Sequence, residues 1–245
     1  MNYKKIKHEN LLNMGSRYAA NFDYLMHDYC LKKFNDLLRD KDVLELGCYH
    51  GEMTKKLSAL CKSVTALDYD NECIDRTLEN CSSLNNISCI KQDFMSFRNY
   101  KDFDIIYFSH SLEHVPDDFA LLKIISNNMA AGQKIITLVP NGMSLSRQIA
   151  VNMGILQNEL EVTDFEKSIG HFRTYEQSSL SSLFLSAGFK LKEQGGIMPK
   201  IFSNNQFDRC LLEKIISIDF LDALNNLSDK YQEICSSIYV VAEKE

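Results

Sequence analysis

The chain has 245 residues, 45% of them hydrophobic, which is enough for one domain with a sizeable core and some insertions. A formal net charge of −6 provides no bulk attraction for nucleic acid, so we expect no nucleic-acid partner. We expect no membrane span and no signal peptide, because no apolar run is long enough. The eight cysteines form no CxxC pair, which disfavours a zinc site and favours a reduced, cytoplasmic setting.

Residues 1–40 are predicted as an N-terminal helical segment. Its first twenty residues are polar, and Gly15–Tyr18 could be mobile or could fold over a bound ligand. The helix begins at Asn21, and its apolar residues recur at four-residue steps to form one stripe: Phe22, Met26, Cys30, Phe34 and Leu38.

Strands and helices then alternate. Buried-strand patterns lie at 42–47, 63–68, 87–91, 103–108, 134–139, 189–194 and 236–242. Helical patterns lie at 51–60, 71–81, after Pro116 and at 176–187. In the helix that follows Pro116, we expect the proline at the first helical position and a buried face made of Phe119, Leu122, Ile125 and Met129. Such alternation predicts a parallel sheet with right-handed crossovers.

Two stretches interrupt the alternation. Residues 143–170 include an acidic cluster, Glu159, Glu161, Asp164 and Glu166, and could be a substrate lid or a surface excursion without function. Residues 196–234 suggest one substantial helix from the apolar positions Leu211, Leu212, Ile215, Ile216, Phe220, Leu221 and Leu224. We predict a single domain, 1–245, with these two stretches as cap insertions at the edge where ligands bind in open α/β folds.

The first strand runs into a glycine turn that could face a ligand. Gly47 and Gly51 flank this turn, and a helix follows, so bare backbone N–H groups could approach a ligand where a Cβ would collide. The spacing G-x-x-x-G is not the dinucleotide fingerprint, because Tyr49 occupies the place of the second glycine. Taken alone, the turn is equally consistent with an ordinary strand–helix connection.

Acidic and aromatic residues follow the next two strands. Asp68 ends the second strand, 21 residues after Gly47, where a carboxylate can accept hydrogen bonds from both ribose hydroxyls. Gln92-Asp93-Phe94 follows the third strand, and this pair of Asp and Phe could hold an adenine amino group and ring face.

Taken in order, ELGxxxG, Asp68, QDF and FDIIxFxxxLEHVPD resemble the motifs of the class I S-adenosylmethionine-dependent methyltransferases. The resemblance implies a Rossmann-like, seven-stranded, mostly parallel sheet with helices on both faces and an antiparallel last strand. It implies S-adenosyl-L-methionine as cofactor and S-adenosyl-L-homocysteine as product. The implied cofactor-binding residues, from the methionine end to the adenine and back to the sulfonium, are Glu45, Gly47, Gly51, Asp68, Tyr69, Asp93, Phe94 and Ser109.

Three histidines come from segments expected at the same sheet edge: His110, His114 and His171. The last lies in GHFRTY, which resembles the GHxRxY/F element of many small-molecule and sugar methyltransferases. The resemblance suggests all three as catalytic residues, His171 as a base or substrate ligand, and Arg173 and Tyr175 as substrate-binding. An ion pair for Arg173 and a core position for Tyr175 are the alternatives.

A metal-assisted reaction is a further alternative. Glu113, His114 and His171, with His110, resemble the carboxylate–imidazole set of metal-dependent members such as the small-RNA 2′-O-methyltransferases. Those proteins carry E-x-x-E-H, whereas His110 replaces the first glutamate here. Because hard cations prefer oxygen ligands, we predict a metal-free site.

The predicted function is methyl transfer to a small polar acceptor, at an oxygen of a sugar, nucleotide-sugar or surface-polysaccharide precursor; nitrogen acceptors stay open. A non-catalytic methyltransferase-like partner subunit is a competing hypothesis, but a dead site would not need Gly47, Gly51 and Asp68. A nicotinamide oxidoreductase would need a three-glycine fingerprint that the chain lacks. The sequence does not decide between a monomer and a homodimer.

Overall fold

The computed structural model describes residues 21–245; residues 1–20, with the Gly15–Tyr18 segment, lie outside the described residues. The helices are α1 (Asn21–Leu38), α2 (Glu52–Ser58), α3 (Asn71–Asn80), α4 (Asp118–Asn128), α5 (Leu145–Asn152), α6 (Asp164–Ser168), α7 (Gln177–Ser186), α8 (Asn204–Leu212) and α9 (Ile218–Asn225). The strands are β1 (Asp42–Leu46), β2 (Ser63–Asp68), β3 (Ile87–Lys91), β4 (Ile105–Ser109), β5 (Lys134–Pro140), β6 (Phe189–Ile197) and β7 (Ser237–Lys244). Short 3-10 turns occupy Tyr100–Asp102, Leu112–His114 and Gln232–Ile234.

The seven strands form one sheet in the order β3-β2-β1-β4-β5-β7-β6. Strands β1 to β5 pair in parallel, whereas β7 runs antiparallel to both of its neighbours, β5 and β6. The predicted Rossmann-like architecture with an antiparallel last strand is therefore confirmed. The strand order reverses between β1 and β4, which is the position where open α/β sheets bind ligands.

Cores lie on both faces of the sheet, because successive strand residues point in opposite directions. On one face, Leu44 and Leu46 of β1 belong to the core that includes residues of α4 and α7. On the other face, Val43 belongs to the core that contains the whole predicted α1 stripe and residues of α2, α8 and α9. Within residues 21–245, no helix combines the length and apolar content that a membrane crossing requires.

The start of α4 differs from the prediction. Asp117 is the N-cap and its side chain accepts a hydrogen bond from the Ala120 N–H (2.9 Å), so Pro116 lies before the cap. Phe119 is 42% exposed. With about 100° of rotation per residue, it falls at the margin of the arc that is centred on Leu122 and Ile125.

The second insertion contains two short helices, so the single-helix prediction is wrong. The chain leaves α8 through Lys214, which has a left-handed φ of 57°, and Ser217 caps α9 by accepting from the Phe220 N–H (3.2 Å). Ile215, which the single helix would have buried, is 68% exposed. The first insertion, for which the sequence pattern predicts no element, also contains two short helices, α5 and α6.

Candidate active site

The two glycines of the β1–α2 turn are required by the protein's own neighbours. Both have left-handed φ angles, 82° at Gly47 and 83° at Gly51. A Cβ at Gly47 would lie 2.3 Å from Ser111 Oγ, and one at Gly51 would lie 3.0 Å from Thr77 Cα. The sequence predicted a ligand as the reason for both glycines, and in the structure protein atoms already exclude a side chain there.

Asp68 ties the end of β2 to this turn. It is only 7% exposed, its Oδ2 accepts from the Cys48 N–H (3.2 Å), and its Oδ1 accepts from the Asp70 N–H (3.1 Å). A carboxylate has about four acceptor positions. Each oxygen therefore retains capacity for a ribose hydroxyl, while the backbone fixes its direction.

Glu45 lies buried on the neighbouring strand β1. Its Oε2 accepts from the Thr54 hydroxyl (2.6 Å), and burial, with Asp68 nearby, raises its pKa to about 8. A buried carboxyl group with a raised pKa at the end of a parallel strand suits the polar end of a ligand.

The residues assigned to the adenine lie at the same edge. Phe94 is half-buried against the edge of Phe108 (ring centroids 5.8 Å apart), and it comes within 3.8 Å of a Cβ built on Gly47. Asp93 is exposed and accepts from the Met95 N–H (2.7 Å), whereas Tyr69 is 69% exposed. Of the two rings assigned to the adenine, that of Phe94 is therefore fixed by the protein, whereas that of Tyr69 is open to solvent.

The end of β4 carries two side chains with unusual environments. Ser109 Oγ is buried without a hydrogen-bond partner, and His110 has a left-handed φ of 51°, which is uncommon for a non-glycine residue. His110 Nδ1 lies 3.9 Å from Glu113 Oε1, and its Nε2 lies 3.3 Å from Ser237 Oγ. Burial, with His171 and His114 nearby, lowers the pKa of His110 to about 4, so its ring is neutral at pH 7.

Glu113, His114 and His171 form a compact cluster beside it. One ligand atom from each lies within 4.8 Å of the other two, and the two imidazole rings meet edge to face at 4.6 Å. Glu113 is 1% exposed, and burial raises its pKa to about 8. Its Oε2 and the Nδ1 of His171 are buried without hydrogen-bond partners. Burial lowers the pKa of His171 to about 4.

Arg173 and Tyr175 are held by protein groups. The Arg173 guanidinium donates to the carbonyls of Val115 and Pro116 and lies 3.4 Å from Asp118. The Tyr175 hydroxyl donates to Asp118 (2.7 Å), and the side chain is 4% exposed. These contacts correspond to the ion-pair and core alternatives and give the predicted substrate-binding roles no support.

Two residues that the sequence did not single out join this region. His27 of α1 has a buried, unpartnered Nδ1, and burial, with Lys56 and His110 nearby, lowers its pKa to about 3. Lys200, 8% exposed, donates to Asn204, and its charge contributes to the low pKa of His110. Neither has a local signal, because His27 adjoins the apolar stripe of α1 and Lys200 lies in an irregular stretch.

Known proteins give the same picture of the fold. A sequence model described as a methyltransferase domain matches residues 18–194, more than half of the chain. Nodulation protein S of Rhizobium tropici is 32% identical over 101 residues, which cover 41% of this chain and 40% of that protein. The chain thus spans about two fifths of the length of such curated relatives.

Solved structures cover nearly the whole chain. N-methyltransferase NodS from Bradyrhizobium japonicum WM9, in complex with S-adenosyl-l-homocysteine, has a TM-score of 0.59 at 14% identity and covers 98% of this chain and 97% of that one. Magnesium protoporphyrin IX methyltransferase from Synechocystis PCC 6803 has a TM-score of 0.61 at 11% identity and covers 99% and 94%. At such identities these likenesses show the fold alone. Together with the domain match, they confirm the resemblance drawn from the motifs: the chain belongs to the class I S-adenosylmethionine-dependent methyltransferases.

Proposed function

We propose that this protein transfers the methyl group of S-adenosyl-L-methionine to a small polar acceptor of the sugar, nucleotide-sugar or surface-polysaccharide type, at a hydroxyl oxygen. The observation that carries the proposal is the pair of neutral histidines, His110 and His171, next to the buried Glu113 at the end of β4. A neutral imidazole can accept the proton that a hydroxyl loses when it is methylated. We also propose a cytoplasmic setting, which is supported by the eight cysteines, all of them free.

The cofactor would be held along the ends of β1, β2 and β3. Glu45 and the Gly47–Gly51 turn would hold the methionine end, Asp68 the ribose, and Tyr69, Asp93 and Phe94 the adenine, with Ser109 near the sulfonium. When bound, S-adenosyl-L-methionine supplies a methyl group that is already activated by the positive sulfur. The remaining task of the protein is to align the acceptor with that methyl group and to exclude water.

The histidines and Glu113 would manage the proton. His110 or His171 would accept the proton that the acceptor hydroxyl loses when it is methylated. Glu113 Oε1, 3.9 Å from His110 Nδ1, would stabilise the resulting imidazolium when the carboxyl group is ionised. Since His171 is neutral at pH 7, one nitrogen of its ring can accept a proton.

The test is a turnover assay that follows S-adenosyl-L-homocysteine release with a panel of hexoses, nucleotide sugars and amino sugars. We expect turnover by the wild type with at least one member, and a fall of about 100-fold or more in His110→Ala or His171→Ala. Unchanged turnover in both variants would remove the base role. Turnover only when a second protein is added would favour the non-catalytic partner-subunit hypothesis.

A nitrogen acceptor is a second candidate. The structural neighbour NodS is described as an N-methyltransferase, and a neutral histidine can equally take a proton from an ammonium group. The amino sugars in the panel test this candidate directly, since NMR distinguishes a product methylated at nitrogen from one methylated at oxygen.

Metal-assisted transfer is a candidate because Glu113, His114 and His171 offer three converging ligand atoms. One carboxylate and two imidazoles suit Zn²⁺ or Co²⁺ better than Mg²⁺. The unpartnered Glu113 Oε2 and His171 Nδ1 fit such a role. Calorimetric titration of Co²⁺ and Zn²⁺ into wild type and Glu113→Gln, with turnover in EDTA, separates this candidate from the metal-free reaction.

A further inference from the structure

We propose that Arg147 is a positioning residue that holds His171 in the site by way of Glu166. This inference rests on the proposed role of His171. Arg147 lies on α5 in the first insertion, 24 residues before His171 in the sequence. Nothing in the sequence pattern connects the two, and the link is visible only in the contacts.

Arg147 binds three points of one segment. Its Nε donates to the Glu159 carbonyl (2.7 Å), Nη1 donates to Glu166 Oε1 (2.7 Å), and Nη2 donates to the Glu161 carbonyl. The side chains of Arg147 and Glu166 are each 15% exposed. A planar guanidinium presents its donors in a fixed fork, so these three bonds set both the position and the direction of the segment 159–166.

Glu166 connects Arg147 to His171, because its side chain binds Arg147 and its main chain binds His171. Its Oε2 accepts from the Thr163 N–H (2.8 Å), which closes the capping box of α6, and its main-chain carbonyl accepts from the His171 N–H (2.9 Å). From the other side, the Phe172 N–H donates to the Glu113 carbonyl (2.9 Å). The backbone at His171 is therefore held from both sides: by Glu113, which follows β4, and by the short helix α6, whose orientation depends on Arg147.

The segment between these two contacts, residues 159–170, is called the strap; besides Arg147, the Thr174 hydroxyl binds it by donating to the Leu160 carbonyl (2.6 Å). Gly170 has a left-handed φ of 92°, and a Cβ there would lie 3.3 Å from His114 Nδ1. Phe165 is 67% exposed and Leu160 is 42% exposed, so little apolar burial holds the strap in place. Because little side-chain burial is present, we expect the charged hydrogen bonds of Arg147 to supply a large share of the restraint on the strap.

Two accounts of Arg147 differ in what they predict. If it merely stabilises the insertion, its loss lowers turnover by the same factor whether or not His171 is present. If it positions His171, its loss has little effect once the imidazole has been removed. A double-mutant cycle between the two residues separates these accounts.

The first experiment measures hydrogen exchange by mass spectrometry in wild type, Arg147→Met, Arg147→Lys and Arg209→Met. Arg209 makes an exposed ion pair with Glu213 in the second insertion, so its variant is the matched control. We expect peptides covering 159–172 to exchange about tenfold faster or more in Arg147→Met, to be intermediate in Arg147→Lys, and to be unchanged in Arg209→Met. Unchanged exchange in Arg147→Met overturns the inference without bearing on the proposed function.

The second experiment measures turnover of the panel acceptor that the wild type methylates fastest. We expect Arg147→Met to lower kcat about tenfold in the wild-type background and less than twofold in His171→Ala, with the KM for S-adenosyl-L-methionine unchanged. Equal losses in both backgrounds overturn the inference. A loss in Arg147→Met combined with full activity in His171→Ala also overturns it, and in that case the base role of His171 fails as well.

Discussion

The proposed cofactor half and the proposed acceptor half of the candidate site, called below the cofactor half and the acceptor half, are built in different ways. The cofactor half uses residues 45–94, at the ends of three adjacent parallel strands, and its shape is fixed by backbone: two left-handed glycines and the Cys48 N–H bound to Asp68. The acceptor half collects side chains from α1, the end of β4, the segment just after the first insertion and the second insertion: His27, His110, His171 and Lys200. Side chains fix its shape, through Arg147 and Arg173.

Because of this difference, we expect different kinds of change to impair the two halves. The β1–α2 turn has no room for an added side-chain atom at its two glycines, but changes of surface charge should hardly affect it. The acceptor half is held together by side chains, many of them on insertions. Its geometry should therefore tolerate local backbone changes but should be sensitive to changes in burial, charge and pH. The acceptor half is also the part that can vary between relatives without disturbing the sheet.

The largest effect should follow a methyl group added to the cofactor turn. In Gly51→Ala the new Cβ would lie 3.0 Å from the Thr77 backbone and the residue would keep a φ of 83°. We expect the free energy of unfolding to fall by about 3 kcal/mol, measured by urea denaturation. Gly154→Ala is the matched control in the first insertion, because Gly154 has a φ of 71° and no atom within 4 Å of the new Cβ. We expect a loss of about 1 kcal/mol there, and equal losses would contradict the contrast.

Replacement of Asp68, the proposed ribose-binding residue, should weaken binding of the cofactor without unfolding the protein. In Asp68→Asn the side chain loses its charge and half of its acceptor capacity at a site where both oxygens already bind backbone N–H groups. We expect the Kd for S-adenosyl-L-homocysteine to rise about 100-fold, by calorimetry. Asp75→Asn on the exposed face of α3 is the control. Equal binding by wild type and Asp68→Asn would place the ribose elsewhere, and no binding by the wild type would favour a non-catalytic subunit.

The acceptor half should instead respond to pH. Burial lowers the pKa of His27 to about 3, whereas the unfolded chain has a value near 6.5. Between these values the unfolded chain binds a proton that the folded chain does not, so stability falls as the pH falls below about 6.5. His27→Leu removes this contribution. On going from pH 7.5 to 5 we expect the wild type to lose up to about 2 kcal/mol more than the variant, by urea denaturation. Parallel pH dependences would show that the pKa of His27 is the same in the folded and unfolded chain.

The same contrast explains which features the sequence could predict. The strand ends that carry Gly47, Asp68 and Asp93 are readable because each side chain follows its own strand and parallel strands end at one edge. Cys48 and Asp68 are 20 residues apart, and their contact follows from two neighbouring strands. For these residues, the place in the sequence pattern already predicts the place in the fold.

The acceptor half is readable only in part: the sequence predicted His110, His114 and His171 at one sheet edge, where the structure brings them together, but it did not predict the contacts that hold them. His110 and Ser237 are 127 residues apart, and Arg173 reaches carbonyls 57 and 58 residues away. The apolar positions from Leu211 to Leu224 keep a helical phase across Lys214, so periodicity joins two helices that a left-handed residue separates. Pattern reasoning detects which face is apolar, but it cannot detect a turn whose backbone is set by packing.

The smallest effect is expected for Tyr175→Phe, which tests whether Tyr175 packs within the protein or contacts the substrate. In Tyr175→Phe the ring stays buried, and only the hydroxyl that donates to Asp118 (2.7 Å) is lost. We expect the free energy of unfolding to fall by about 1 kcal/mol, with Tyr231→Phe as an exposed control. The KM for the panel acceptor should stay within twofold of the wild type, because the hydroxyl is committed to a carboxylate of the protein. A tenfold rise in that KM at unchanged stability would instead mean that the acceptor displaces Asp118 from Tyr175. The acceptor half would then extend beyond the histidines, as far as the start of α4.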